Sequence, residues 1–311
     1  MNGYQSSDLQ VNDLLMLLLV GYPISLFVLG NIFKNKTNKK DYDYVPDVTI
    51  MVVAHNEEKV IEEKLNNLLE IDYPIHQTTI LVTSDYSTDK TNEIVNGFID
   101  KHKDRNIILY EAKEHRGKTN AQNEAQKIVK DEILVMTDAN AILDKKAIRE
   151  IVSFFSDENV AYVSGKLSYV NEDNTTAASE SLYWKLDLYC REVESRFGSI
   201  TAGNGALYAC RNSEYIVIKD KYCHDNTFPL RYALLGKRAL YNPEAVAYEK
   251  AGENDKDEYK RKVRMNRDIL LSMFPSFKLL EIWKHFSFSY FYFGHRTCRY
   301  SSWYFADSHK Q

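Results

Sequence analysis

The sequence predicts an α/β fold with a doubly wound, mostly parallel sheet, preceded by one transmembrane helix. Three observations carry this. Residues 14–33 hold no charge, Val48–Ala54 is a continuous apolar run, and short β-branched runs then alternate with helical patterns. At 311 residues the chain can bury a substantial core. Its net charge of −4 leaves no basic field for nucleic acid.

The uncharged run reads LLMLLLVGYPISLFVLGNIF, and about 20 apolar residues span a bilayer as a helix. A buried core helix is the alternative. Gly21, Pro23 and Gly30 are tolerated in a membrane helix because neighbouring groups re-satisfy the backbone. Asp8 and Asp13 precede the run, while Lys34, Lys36, Lys39 and Lys40 follow it, which places the C-terminal side in the cytoplasm. No small-residue cleavage site follows, so an anchor is expected rather than a signal peptide.

Val48–Ala54 reads as a strand buried on both faces. Val60, Ile61, Leu65, Leu68 and Leu69 follow at helical spacing. Residues 80–82, 107–109 and 133–136 read as further strands. Ile94/Val95/Phe98/Ile99 and Ala121/Ala125/Ile128/Val129 mark helices between them. Right-handed crossovers then give parallel strands, whose carboxyl ends are where ligands bind. All four of those ends are polar: His55-Asn56-Glu57-Glu58, Ser84-Asp85-Tyr86-Ser87-Thr88-Asp89, His115-Arg116-Gly117-Lys118 and Thr137-Asp138-Ala139-Asn140.

Asp138 and Asn140, spaced i, i+2 at a strand end, can share a hard divalent cation with a substrate diphosphate. Such an ion neutralises charge on a departing diphosphate. A turn or helix cap is the plainer reading of these residues. Lys118 suits phosphate oxygens as a point charge, or is a solvated surface lysine. Asp85 can accept a nucleobase N–H or cap the next helix. Cys190, Cys210, Cys223 and Cys298 have no metal or disulfide spacing and read as reduced, cytosolic thiols. The 22 tyrosines suit a sugar-binding surface or a membrane interface equally.

Taken together, A-H-N-E-E, S-D-x-S-T-D-K-T, H-R-G-K-T-N-A-Q-N and T-D-A-N resemble family 2 glycosyltransferases of the GT-A fold. These inverting enzymes include cellulose, chitin, hyaluronan and poly-N-acetylglucosamine synthases. The likeness extends through Val163-Ser164-Gly165-Lys166, the stretch from Trp184 to Arg211, and His224-Asp225 with Pro229-Leu230-Arg231 and Gly236. It covers roughly residues 45–265.

The resemblance implies that Ala54, Asn56, Glu57 and Asp85 surround uracil and ribose. Lys118 then lies near the donor and Asp138 and Asn140 near Mg²⁺ or Mn²⁺. Asp225 is implied as the general base, with Gly203, Asn204, Gly205 and His224 on the acceptor side. Arg261 and Arg264 stand where relatives carry Q-x-x-R-W and would meet the diphosphate, without the acceptor-stacking tryptophan. His224 replaces the family's usual acid.

The expected organisation is an anchor over residues 1–40, a GT-A domain over 45–275, and an aromatic interfacial segment over 276–311. That last segment includes residues 286–305, where His295, Arg296 and Arg299 interrupt the apolar pattern. The expected reaction moves a sugar from a UDP-sugar to a glycan or lipid-linked acceptor, for surface or capsular polysaccharide. The setting is the cytoplasmic membrane, single-pass, with the catalytic domain in the cytoplasm. Processive relatives continue into several membrane helices, so an end at Gln311 implies a short or truncated chain and a separate export protein. An inactive or partner-dependent truncated synthase is one competitor. A sugar-nucleotide pyrophosphorylase is another, but it calls for a Gly-rich basic loop where His-Asn-Glu-Glu stands.

Overall fold

The computed structural model describes residues 21–34, 37–170, 182–250 and 277–298. Residues 14–20 of the expected span, Arg261, Arg264, and residues 299–305 of the aromatic stretch lie outside the described residues. The chain divides into two compact units. A sheet unit comprises Lys39–Ser179 and Ala202–Asp255; a helical unit comprises Met1–Asn38, Glu180–Thr201 and Lys256–Gln311.

The sheet unit holds β1 (Val48–Ala54), β2 (Thr78–Ser84), β3 (Asn106–Glu111), β4 (Ile133–Asp138), β5 (Ile142–Leu143), β6 (Val160–Val170), β7 (Leu207–Arg211) and β8 (Arg238–Lys250). They form one sheet in the order β3-β2-β1-β4-β7-β6-β8-β5. β1 is buried at all seven positions and is flanked on both edges by parallel neighbours, β2 and β4. β3, at the edge, exposes alternate residues. The intervening helices are α2 (Ile61–Leu69), α3 (Thr91–Lys101) and α4 (Lys118–Gln126), followed later by α5 (Ala147–Val152) and α7 (His224–Leu234).

The expectation of a mostly parallel sheet needs correction. Four strand pairings are parallel and three are antiparallel. β7 runs against both β4 and β6, with Leu207 opposite Thr137. This reversal has a functional consequence: the turn entering β7 sits beside the carboxyl end of β4. A wholly parallel strand would have put that turn at the far edge.

The helical unit contains a helix over residues 21–32 (α1), α6 (Leu182–Phe197), and α8 (Ile282–Phe291) running into a π-helical turn, Tyr292–Cys298. Tyr22, Leu26, Cys190, Val193 and Phe291 form its core. A Cβ on Gly294 would stand 2.1 Å from the Tyr22 ring, so that close approach requires glycine. His295 is buried between two acids, with Nδ1 2.6 Å from Glu194 Oε1 and Nε2 3.0 Å from Asp187 Oδ1. Burial alone would lower its pKa, but Glu194 and Asp187 raise it to about 10, so the imidazole is a cation. Arg191 holds the other oxygen of Asp187 at 2.8 Å, and Tyr22 donates to Glu194 at 2.6 Å. Among the described residues no helix is long and apolar enough to cross a membrane.

Candidate active site

Four strand ends and the β7 turn meet at one edge of the sheet unit. The first two loops are tied to each other. Asn56 sits in the left-handed region (φ 57°), and its carboxamide oxygen accepts the Thr88 N–H at 2.8 Å. The Glu57 and Glu58 amides donate to Thr91 Oγ1 and Asp89 Oδ2. Asp89 in turn accepts the Thr91 N–H at 3.0 Å, just ahead of α3. Ala54 is buried, and its carbonyl accepts the Asp85 N–H at 2.8 Å.

Asp85 is 2% exposed, a carboxylate set beneath two histidines. His115 Nδ1 lies 2.8 Å from Asp85 Oδ2, and the Arg116 amide donates to Oδ1 at 3.3 Å. His55 Nδ1 donates to the Asp85 carbonyl at 2.7 Å. The two imidazoles stack at 4.1 Å with 23° between planes. Ligand atoms of His55, Asp85 and His115 fall within 4.8 Å of one another, close enough to hold a metal ion. Both histidines stood in the strand-end motifs, but no role was read for them. Their convergence depends on β1, β2 and β3 being adjacent, which no local spacing reveals.

A cluster of charged groups is built around Gly205. A Cβ placed there would lie 3.2 Å from Lys118 Nζ, 3.3 Å from Asp138 Oδ2 and 4.0 Å from Asp225 Oδ2. Three charged groups drawn from α4, β4 and α7 thus converge on one side-chain-free position. Gly117 (φ 89°) turns the chain so that α4 begins at Lys118, and Lys118 Nζ donates to Asp138 Oδ1. Burial works against the Lys118 charge, but Asp138 and Asp225 outweigh it and hold its pKa up. Glu57 is raised by burial and then by Asp138, which marks concentrated negative charge here.

Asp225 is aimed by a backbone device. Pro229 lies inside α7 and has no N–H to give the carbonyl four residues back. That carbonyl, of Asp225, accepts the Gly203 N–H at 2.8 Å instead. The β7 turn and the helix bearing Asp225 are thereby locked together. A Cβ on Gly203 would fall 2.0 Å from the Tyr162 hydroxyl, so the lock needs glycine.

Two residues expected on the acceptor side are occupied otherwise. Asn204 spends its carboxamide within the turn, donating to Gly165 O at 2.6 Å and accepting the Ala206 N–H at 3.1 Å. His224 is 2% exposed and faces inward. Its Nδ1–H donates to Gln122 Oε1 at 2.9 Å, leaving Nε2 to accept the Tyr215 hydroxyl at 2.7 Å. Burial, with Lys118 adding, pushes its pKa down to about 3, so it is neutral. It pins the start of α7 to α4 and so places Asp225.

The oxygens of Asp138 and Asn140 suit a hard divalent ion. Asp138 already attracts a cation, the ammonium of Lys118, and Asn140 is exposed beside it. The donor set therefore fits such an ion.

Residues 49–224 match the family described as Glycosyl transferase family 2. The probable glycosyltransferase YdaM of Bacillus subtilis is 27% identical over 279 residues, covering 85% of this chain and 64% of its own. The β-monoglucosyldiacylglycerol synthase of Nostoc is 27% identical, covering 71% and 49%. The poly-β-1,6-N-acetyl-D-glucosamine synthase of Staphylococcus aureus is 23% identical, covering 79% and 63%. The chain thus spans half to two-thirds of the length of these relatives. Among solved structures, a Pyrobaculum calidifontis mannosyltransferase in complex with GDP-Man and Mn²⁺ superposes with TM-score 0.71 at 22% identity, covering 91% of this chain and 81% of that one. S. aureus TarS with UDP-GlcNAc gives 0.50 at 18%, covering 72% and 66%.

Proposed function

The chain belongs to glycosyltransferase family 2, and from that premise we propose that it transfers a hexose from a UDP-sugar, with inversion, to a glycan or lipid-linked acceptor. The observation that carries this is the convergence of Lys118, Asp138 and Asp225 around Gly205.

Asp85 accepts a uracil N–H, held in place by His115 and the Arg116 amide. Asn56 and Glu57 border the ribose. Lys118 turns from Asp138 toward the diphosphate, as its flexible stem allows. Asp225 takes the proton of the acceptor hydroxyl as that oxygen bonds to the anomeric carbon. The bond from that carbon to the diphosphate breaks on the opposite face, so an α-linked donor gives a β-linked product. Asp138 and Asn140 would hold Mg²⁺ or Mn²⁺, which when bound supplies Lewis-acid neutralisation of the departing diphosphate. No nucleic acid takes part.

The acceptor belongs to surface or capsular polysaccharide or glycolipid synthesis. A membrane setting is supported by the exposure of Phe27 and Ile32 on α1 and of Trp283 (97%) and Phe286 (71%) on α8. Lys34, Lys39 and Lys40 beside α1 favour a cytoplasmic catalytic side. Recovery of the protein in the soluble rather than the membrane fraction would remove that setting.

A GDP-sugar donor is the second reading, because the mannosyltransferase of the same fold is in complex with GDP-Man. Nucleoside diphosphate release across UDP- and GDP-sugars, with Mn²⁺, Mg²⁺ or chelator, separates the two. Cation-dependent release from one UDP-sugar is expected. Release from GDP-mannose alone overturns the base assignment. No release from any donor by folded, membrane-inserted protein favours the inactive or partner-dependent reading.

A further inference from the structure

The mechanism above leaves the buried Lys64 unused. Lys64 lies on the inner face of α2 and is fully buried, although lysine is almost never so without a partner. Its ammonium donates to Thr137 Oγ1 at 2.9 Å and to the Ala141 carbonyl. Those two residues flank Asp138-Ala139-Asn140. One turn further along α2, Asn67 exchanges two hydrogen bonds with the backbone of Leu143, at 2.8 and 2.9 Å. A single helix face therefore grips the chain on both sides of the cation ligands, at Thr137 before them and at Ala141 and Leu143 after them. The grip continues beyond Lys64. Thr137 Oγ1 passes its own proton to the Ala206 carbonyl at 2.7 Å, in the turn that carries Gly205.

We propose that Lys64 is a positioning residue for the divalent-cation loop, holding Asp138 and Asn140 toward the ion and toward Gly205 through Thr137 and Ala141. The proposal rests on the reading of Asp138 as a cation ligand.

A space-filling role is the alternative, and the energetics argue against it. An apolar side chain of similar length would fill the same volume without the cost of burying a charge. A lysine here has to do something a methionine cannot, and what it does is donate to both flanks of the loop. Burial lowers its pKa to about 7, while Asp138 and Glu249 favour its charged form. Partners one shell behind a metal ligand typically change metal affinity or activity by about 10–100-fold when lost.

The test is Mn²⁺ binding in the presence of UDP, read from the free Mn²⁺ electron paramagnetic resonance signal, so that it does not depend on turnover. Wild-type protein is compared with Lys64→Met and with Thr137→Val, which cuts the same connection from the other side. The expected result is about 10-fold weaker Mn²⁺ binding in each variant. The double variant should be no weaker than the worse single one, because both remove one connection. Wild-type affinity in folded Lys64→Met overturns the proposal. If Lys64→Met does not fold, wild-type affinity in Thr137→Val overturns it instead. Absence of Mn²⁺ binding in the wild type removes the cation site itself, a failure distinct from that of Lys64.

Discussion

His224→Asn gives a prediction with a sign that changes with pH. In the folded chain the imidazole is held neutral, its pKa pushed down to about 3 by burial and by Lys118. Unfolded, it returns to about 6.5. Between those values the unfolded chain binds more protons, so stability is complete above pH about 6.5 and falls as pH drops toward 3. The slope is about 1.4 kcal/mol per pH unit, which makes the loss at pH 5 about 2 kcal/mol. Asparagine can keep the bond to Gln122 but leaves Tyr215 without its imidazole acceptor, though Asn123 Oδ1 stands 3.1 Å from that hydroxyl. At pH 7.5 the variant should therefore be less stable by about 1 kcal/mol. At pH 5 it should be more stable than wild type by a similar amount. Urea unfolding of both proteins at pH 7.5, 6 and 5 measures this, and other titrating groups cancel in the difference. A stability difference that stays constant across pH would refute the buried neutral histidine.

Gly203→Ala forces a methyl against Tyr162 and Ser164 and should lower stability by about 1–3 kcal/mol. It should also depress transfer more than donor binding, because it disturbs the turn bonded to Asp225; isothermal titration with UDP beside turnover checks this. His295→Gln removes the cation between Asp187 and Glu194 and should cost about 3–5 kcal/mol at neutral pH. Because the folded pKa of His295 is raised to about 10, that wild-type advantage is complete below pH about 6.5. It should disappear as pH rises through about 10, as thermal melts of both proteins at pH 6, 8 and 10 would record.

Local pattern carried the first half of the sheet. The run Val48–Ala54 coincides with β1, since a strand buried on both faces is apolar along its length, here at every position but Thr49. The three following strands enclose the runs read for them, extended by polar residues that continue the ladder. Ile128 and Val129 read as part of a helix, but α4 ends at Gln126 and a turn follows. The antiparallel course of β7 was not legible, because strand direction depends on which neighbours a strand meets. The contacts of His224 were hidden for a similar reason: its partners Gln122 and Tyr215 lie 102 and 9 residues away. His295 finds its acids about a hundred residues upstream. Charges and strand-end motifs pointed to a site; the fold supplied the Gly203–Asp225 lock and the buried lysine behind Asp138.

The most direct test of the account is Asp225→Asn, assayed for sugar transfer and, separately, for UDP binding. The account predicts transfer reduced by about 10²–10⁴-fold, the contribution of a general base. UDP affinity should stay within a few-fold of wild type. Transfer at near wild-type rate, with the variant folded, would contradict the role of Asp225 and the mechanism built on it.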